Sequence, residues 1–518
     1  MDDEKKELRD LSQWMAISLL APGQLLGGRV GKERVLVWRD GDSFKAFSAS
    51  CPHLEGPLDE GIVVDKTIRC PWHHACFDLT TGTSISAPAF DSLRIYEIEL
   101  ENGCFAVRSA AQSTGKRAAL SGGNGSPDPM VIVGGGAAGF AAADTLRRRG
   151  WSGGIIMVSE EDAEPYDRTL LTKDYLDGHF GADRLPIARH SLDEIGIRFE
   201  PGTPVESVEP VGKTIHFKGG RSQRYAKLLL ATGAAPRMLT VPGTNLSHVL
   251  ALRSLADCHR LLARLQAHSR IVVVGGSFIA LEAAASLRSR GLSVTVVAPE
   301  SHPLEKVFGR ELSDLIVDVH RQKGVNFHLG SKVARIERNA IILENGREIA
   351  ADIVLIGIGV TPRIELAKGA GLKVGDGVCV NARLQSSQKD IFAAGDIAQW
   401  PDPRSGELIR VEHWVVAERQ GEAAGANMLG LQIAFEMVPF FWTKHFDLAI
   451  RYVGHVGNWD EIQIEGDVSL RNAAIHFRKE GRDLAVATVG RDGQSLQVEA
   501  SMEKERGNVS DATASGAT

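Results

Sequence analysis

Two glycine-rich stretches and one pair of cysteine–histidine loops predict a multidomain fold. The loops are CPHLEGPLDEG from Cys51 and CPWHHACF from Cys70; the glycine stretches are MVIVGGGAAGF from Met130 and IVVVGGSFIALE from Ile271. Their order gives a small all-β domain that carries the loops, then two Rossmann-like α/β nucleotide-binding domains, one inserted in the other. A small α+β C-terminal domain follows. The expected boundaries are 12–108 for the all-β domain and 109–128 for a flexible linker. The first nucleotide domain takes 129–250 and 379–436, the inserted one 251–378, the C-terminal domain 437–500 and a disordered tail 501–518.

Composition agrees with this size. A chain of 518 residues has a prior of three or four domains, and 43% apolar residues permit full cores. The net charge of -6 is spread along the chain, so neither a nucleic-acid tract nor a polybasic membrane patch stands out. Six cysteines are too few for a disulfide scaffold. The acidic start MDDEKKELRD has neither the apolar core of a signal peptide nor the arginines of a transit peptide, so a cytoplasmic location is expected. The apolar run from Ile271 could be read as a membrane span, but Gly275, Gly276 and Glu282 interrupt it.

Short β segments at Val35–Trp38, Phe44–Phe47, Ile62–Val64 and Leu93–Leu100, bounded by Gly, Asp and Asn turns, make the first domain all-β. Its loops supply Cys51, His53, Cys70 and His73. Two thiolates can hold one iron of a two-iron cluster and two imidazoles the other, and the neutral imidazoles raise the reduction potential. Zinc accepts the same donors, so a zinc site is the alternative on ligand chemistry alone. With Pro52, Gly56, Pro71 and Trp72, both half-motifs resemble the Rieske loops of ferredoxins and oxygenase components, over residues 14–108. The resemblance implies a [2Fe-2S] cluster on those four residues. Respiratory Rieske proteins add a disulfide between the loops; here Gly56 and Trp72 stand at those positions. His74 stands where glycine is usual, and its spacing makes it a neighbour of the ligands or a surface residue. The stretch from Ser109 to Pro129 is polar and rich in Gly and Ser; as a coil of about twenty residues it would span roughly 25 Å.

From Met130 a buried strand runs into Gly134-x-Gly136-x-x-Gly139 and a helix. The glycines permit a tight turn, backbone approach to a pyrophosphate and close helix packing. The second strand, Ile155–Val158, ends at Glu160, which can accept hydrogen bonds from a ribose. This pattern alone does not choose FAD over NAD. EPYDRTLLTKDYL from Glu164 resembles a segment of FAD-dependent ferredoxin reductases, which implies that Arg168 contacts FAD and Lys173 lies near the isoalloxazine; surface charge is the plainer reading of both. LLLATGAAPR from Leu228 resembles the flavin-domain strand and turn, placing Thr232, Gly233 and Arg237 near FAD.

The second fingerprint is degenerate, Gly275-x-Ser277-x-x-Ala280, with Phe278 and Ile279 at its turn as further NAD-site candidates. Glu300 follows the strand Val294–Val297 and would take a ribose 2′-hydroxyl while repelling a 2′-phosphate, which favours NADH over NADPH. ATGAAPR at Ala231 is echoed by GIGVTPR at Gly357, which adds Gly359 to the cofactor candidates and marks two domains of one design. DIFAAGDIA from Asp390 marks the return to the first domain. By the resemblance Asp396 bonds the FAD ribityl chain, with a helix cap as the structural alternative. RVEHWVVAERQG from Arg410 and PFFWTKHFD from Pro439 resemble the segments that bring Trp414 and Trp442 to the flavin, although Trp442 could also simply pack in a core. Glu282 matches a family glutamate paired with the lysine at 173; an ordinary ion pair is the alternative.

Residues 129–500 resemble FAD/NAD-dependent ferredoxin reductases and apoptosis-inducing-factor-like oxidoreductases, most of all the members with an N-terminal Rieske domain. The resemblance implies an oxidoreductase that takes hydride from NADH onto FAD and passes single electrons through the cluster to a downstream redox protein or oxygenase-type acceptor. Lys173 and Glu282 are then the catalytic pair. The alternative is an NADH-sensing interaction protein with slow turnover. A homodimer is compatible with either, and neither involves nucleic acid or a membrane span.

Overall fold

The computed structural model describes residues 8–110 and 127–514, with backbone only at 109, 110 and 506–514; the elements given are those of these residues. The chain divides into two compact units, residues 1–122 together with 492–518, and residues 123–491.

The first unit is built on a six-stranded antiparallel sheet, in the order Met15–Ala16, Cys104–Ala110, Ile95–Glu101, Ser43–Ser48, Glu33–Asp40 and Leu25–Val30. Strand alternation explains its two-sided burial. Val35 and Val37 join Leu11, Tyr96 and Phe105 in one cluster. Leu36 and Trp38 join Phe47, Ile68 and Phe77 in another, which includes Cys51 and Cys70. The loops therefore root in a packed core. A four-stranded sheet carries the second loop between Thr67–Arg69 and Cys76–Asp78. Its first hairpin turns on Asp65 and Lys66 alone, both with positive φ, the form whose twist matches paired strands.

Helix Asp492–Ala514 also belongs to this unit. It corrects two expectations. The tail from 501 is helical as far as 514, with 515–518 outside the described residues, and the C-terminal domain's last residues, 492–500, pack with the first unit. The low polarity contrast of this segment hid the helix; buried Leu496, Ala500 and Met502 mark the face that holds it. Of the expected linker, 109 and 110 continue a strand, 127 and 128 are described, and 111–126 lie outside the described residues.

In the second unit a parallel sheet runs in the order Arg198–Glu200, Ile155–Val158, Met130–Val133, Lys227–Leu230 and Ile391–Ala393. The last strand comes from beyond the inserted domain, so the chain does leave this sheet and return. The insert holds its own parallel sheet, Val249–Ala251, Ile353–Ile356, Arg270–Val274, Ser293–Val297 and Asn326–His328. Central strands such as Met130–Val133 are buried at every residue, as expected where both faces are covered. The two echoed segments meet: Ala234–Pro236 pairs antiparallel with Val360–Pro362. A five-stranded antiparallel sheet, Phe440–His445 through Arg482–Val489, completes the unit. No helix among the described residues is long and apolar enough to cross a membrane.

Helix Trp414–Met428 lies on the first fingerprint helix, Ala137–Arg148, through Gly421 and Gly425. A Cβ on Gly421 would stand 2.2 Å from the Ala138 carbonyl oxygen, and one on Gly425 2.7 Å from that of Ala142. Replacing Gly421 by Ala is expected to cost about 1–3 kcal/mol, read as a lower melting temperature of this unit, whereas Ala at exposed Gly369, where a Cβ would meet nothing within 4 Å, should do far less.

Candidate functional site

The two cysteine–histidine loops share one backbone design. The Cys51 N–H donates to the Gly56 carbonyl at 2.8 Å and the Glu55 N–H to the Cys51 carbonyl at 2.9 Å. The Cys70 N–H likewise donates to Ala75 at 2.9 Å and the His74 N–H to Cys70 at 3.1 Å. Glu55 and His74 occupy the same left-handed position, φ 65° and 60°. The closed turns present the donors as like pairs. His53 Nδ1 faces His73 Nδ1 at 3.2 Å, with both rings part-buried. Cys51 and Cys70 are buried, and the Cys51 thiol is pushed well above its ordinary value by its hydrogen bond with Cys70 and by burial. Without a metal the raised thiol stays protonated; ionising both buried sulfurs would need a compensating cation, which is the chemistry of a metal ligand pair. Gly56 leaves room for this: its Cβ would lie 2.7 Å from Cys70 Sγ and 3.3 Å from the Trp72 ring. The positions of the respiratory-type disulfide are thus neighbours here, filled by a glycine beneath an indole. No disulfide joins the cysteines at 51, 70, 76, 104, 258 and 379.

In the second unit a cavity of about 1140 Å³ opens at the carboxyl ends of the first parallel sheet. It exceeds the roughly 300–1,000 Å³ of a pocket for one small ligand. Gly134, Gly136, Glu160, Arg168, Lys173, Thr232, Gly233, Asp396, Trp414 and Trp442 line it, with Phe278, Ile279 and Glu282 from the insert. The fit to a pyrophosphate is physical. Gly134 has φ +122°, and its Cβ would meet the Ala231 carbonyl oxygen at 2.1 Å. Gly136 caps the helix without a side chain, and a Cβ there would meet nothing within 4 Å. The helix N–H groups are left to a ligand. Gly139 lies behind the turn, where its Cβ would strike the Gly134 carbonyl oxygen at 1.9 Å.

A family model for pyridine nucleotide-disulphide oxidoreductases matches residues 128–421. The chain belongs to that family. A model for the Rieske [2Fe-2S] domain matches residues 13–97 of this oxidoreductase. Its sequence is 30% identical over 491 residues to apoptosis-inducing factor 3 of Mus musculus, covering 91% of this chain and 80% of that protein. It is 35% identical over 379 residues to the ferredoxin–NAD(+) reductase component of the anthranilate 1,2-dioxygenase system of Burkholderia cepacia, covering 71% and 92%. A chain in the crystal structure of the covalent putidaredoxin reductase–putidaredoxin complex superposes with a TM-score of 0.70 at 30% identity, over 73% of this chain and 93% of that one. The oxidoreductase is thus a nicotinamide-dependent flavoprotein with a Rieske domain, whose cofactors are FAD, NAD and a [2Fe-2S] cluster.

Within this oxidoreductase the second fingerprint reaches the same close approach by a different choice of residues. Gly275 has φ +116°, and its Cβ would meet the Gly357 carbonyl oxygen at 2.2 Å. Ala280 stands where Gly139 does in the first, and Gly357 where Ala231 does; a Cβ on Gly357 would lie 2.7 Å from that of Ala280. Glycine at 357 leaves room for the Ala280 methyl, a contact separate from that between Gly139 and the Gly134 carbonyl. Ser277 caps this helix, accepting from the Ala280 N–H at 3.3 Å and donating to the Gly357 carbonyl at 2.7 Å. Gly275, Ser277, Glu300 and Gly359 are not among the residues lining the large cavity, and neither is Arg237, whose Nε donates to Thr361 at 3.2 Å. Glu300 and Gly359 are exposed.

Charged neighbours that the motifs did not reveal hold the lining in place. Arg168 donates to Glu161 at 2.8 Å and to the Arg253 carbonyl at 2.6 Å. Arg253 pairs with Asp396 at 2.6 Å, and Arg363 with Glu160. Lys173 Nζ stands 2.7 Å from Glu282 Oε2, which also accepts from Thr172 at 2.6 Å. Glu282 Oε1 accepts from Thr443 at 2.7 Å, and Thr443 Oγ1 lies 3.1 Å from His445 Nε2. With the Thr443 proton given to Glu282, His445 must donate from Nε2, which fixes its tautomer. The only sequence signal for Thr443 and His445 was their alternation along PFFWTKHFD, which turns both inward.

Thr443→Val should cost about 1–3 kcal/mol, since it strands a buried carboxylate oxygen; Thr443→Ser should recover most of the lost melting temperature. Burial, and for His445 also nearby His320 and Lys173, depresses the pKa of fully buried His320 and His445. Unfolded imidazoles bind protons below about 6.5 while these do not, so their contribution is complete above that pH and is lost as pH falls. Each histidine should remove up to about 1.4 kcal/mol per pH unit below 6.5, and denaturant titrations at pH 7.5 and 5.5 read the sum.

Proposed function

We propose that this chain takes hydride from NADH and delivers electrons one at a time, through the centre held by Cys51, His53, Cys70 and His73, to a separate redox protein. When bound, FAD accepts the hydride and the cluster carries single electrons. The observation that carries the reading is the co-occurrence, in one chain, of paired thiols and imidazoles on matched turns with a cavity framed by a glycine turn and a buried Lys173–Glu282 pair.

The residues divide the work as follows. Gly134 and Gly136 let the backbone and helix N-terminus meet the FAD pyrophosphate, and Glu160 receives the adenosine ribose. Asp396 meets the ribityl chain and exchanges its partner Arg253 for it. Thr232, Gly233, Arg168 and Arg237 support the dinucleotide, and Trp414 and Trp442 wall the ring and keep water out. Lys173, oriented by Glu282, puts positive charge beside the flavin, where it stabilises the reduced form. Gly275, Ser277, Phe278, Ile279 and Gly359 receive the nicotinamide dinucleotide, and Glu300 selects NADH by repelling a 2′-phosphate. The likeness to apoptosis-inducing factor 3 over 91% of the chain favours a second reading, in which NADH binding mainly changes partners.

In stopped-flow mixing with NADH, flavin absorbance should bleach first and cluster absorbance second. Cys51→Ser should abolish the second phase and leave the first. A cluster that stays oxidised beside reduced flavin overturns internal delivery, and slow turnover with an NADH-dependent change in oligomer size favours the second reading.

A further inference from the structure

His74 occupies a left-handed position, φ 60°, that favours glycine, yet its side chain is completely buried. Its counterpart in the other loop, Glu55, has the same backbone and faces solvent. The difference is the C-terminal helix. His74 Nδ1 lies 2.9 Å from Glu499 Oε2, and Nε2 lies 3.2 Å from Ser495 Oγ. The same Glu499 oxygen accepts from Arg69, the residue before Cys70, at 3.3 Å, and Arg69 also pairs with Glu503 at 2.6 Å. Glu499 and Ser495 are buried with His74. A helix more than 400 residues away in sequence therefore grips the second loop at both ends, next to Cys70 through Arg69 and next to His73 through His74.

We propose that the C-terminal helix is part of the cluster site, with Glu499 as a positioning residue whose buried charge lowers the reduction potential. The inference rests on the four-ligand reading given above. A negative charge near a metal centre stabilises its more positive, oxidised form, and the effect is large where water is excluded. Cluster potentials follow local charge, hydrogen bonding and exposure. Two carboxylates, Glu499 and Glu503, share one guanidinium there, and Glu499 brings its charge to the loop. The hydrogen bond to His74 fixes that charge at the turn carrying His73, and the burial of His74 shuts water out of this side.

The test is the midpoint potential and the EPR spectrum of the dithionite-reduced cluster in the full-length chain, with flavin content as a control for the other unit. Glu499→Gln should raise the midpoint, and Glu499→Asp should return it toward the unmodified value. Arg69→Gln should lower it. His74→Gly keeps the turn, because glycine accepts that φ, and should change the EPR g-values by admitting water. Opposite shifts at 499 and 69 are the signature of charge, since mere loosening of the loop would move both the same way. Equal midpoints in all variants, or a change in iron content alone, overturn the proposal. An unmodified chain with no cluster signal overturns the ligand reading as well, so the two failures are distinguishable.

Discussion

Backbone must approach backbone at less than side-chain distance where each nucleotide fingerprint turns from strand to helix, and much of the second unit is arranged around that requirement. At the first turn a Cβ on Gly139 would strike the Gly134 carbonyl; at the second, Ala280 carries a methyl and glycine at 357 leaves room for it. Both turns close, so a fingerprint written as one glycine triplet misses the second. The same demand recurs where Gly421 and Gly425 let a second helix settle on the first. Small residues here set the distances at which phosphates and rings can be met.

The large features were legible because they depend on local pattern. A short buried strand, a glycine turn and a small-residue helix repeat in order along the chain, and the return of Ile391–Ala393 to the first sheet follows from FAAGD. The cysteine–histidine loops were legible because donor chemistry restricts what such spacing can do. What escaped was tertiary: Arg253 against Asp396, Arg363 against Glu160, and Thr443 with His445 behind Glu282. None of these has a motif, because each exists only once distant segments are packed. The C-terminal helix escaped for a related reason. Its stabilisation comes from what it touches, and helix propensity is a weak guide where packing decides.

Two buried glutamates play parallel parts. Glu282 is satisfied by Lys173, Thr172 and Thr443, from two separate segments. Glu499 is satisfied by His74 and Arg69. A carboxylate removed from water is tolerated only when its oxygens are occupied. Each therefore fixes the relative placement of the segments that supply its partners. Glu282 lines the large cavity, and Glu499 holds the residues next to Cys70 and His73, so each fixed point adjoins a candidate site.

The union of residues 1–122 with 492–518 has a consequence during biosynthesis. Glu499 emerges from the ribosome 425 residues after His74. At about 5–20 residues per second, that interval is on the order of 20–85 s. Throughout it the nascent all-β domain has its strands and all four donors but lacks the helix that seals one loop. Iron and sulfide delivered early would enter a half-finished socket, whereas delivery after residues 495–503 have packed would find it closed. Sealing of that loop waits for synthesis of residues 495–503, and a chain terminated before them would carry an N-terminal domain with an open flank.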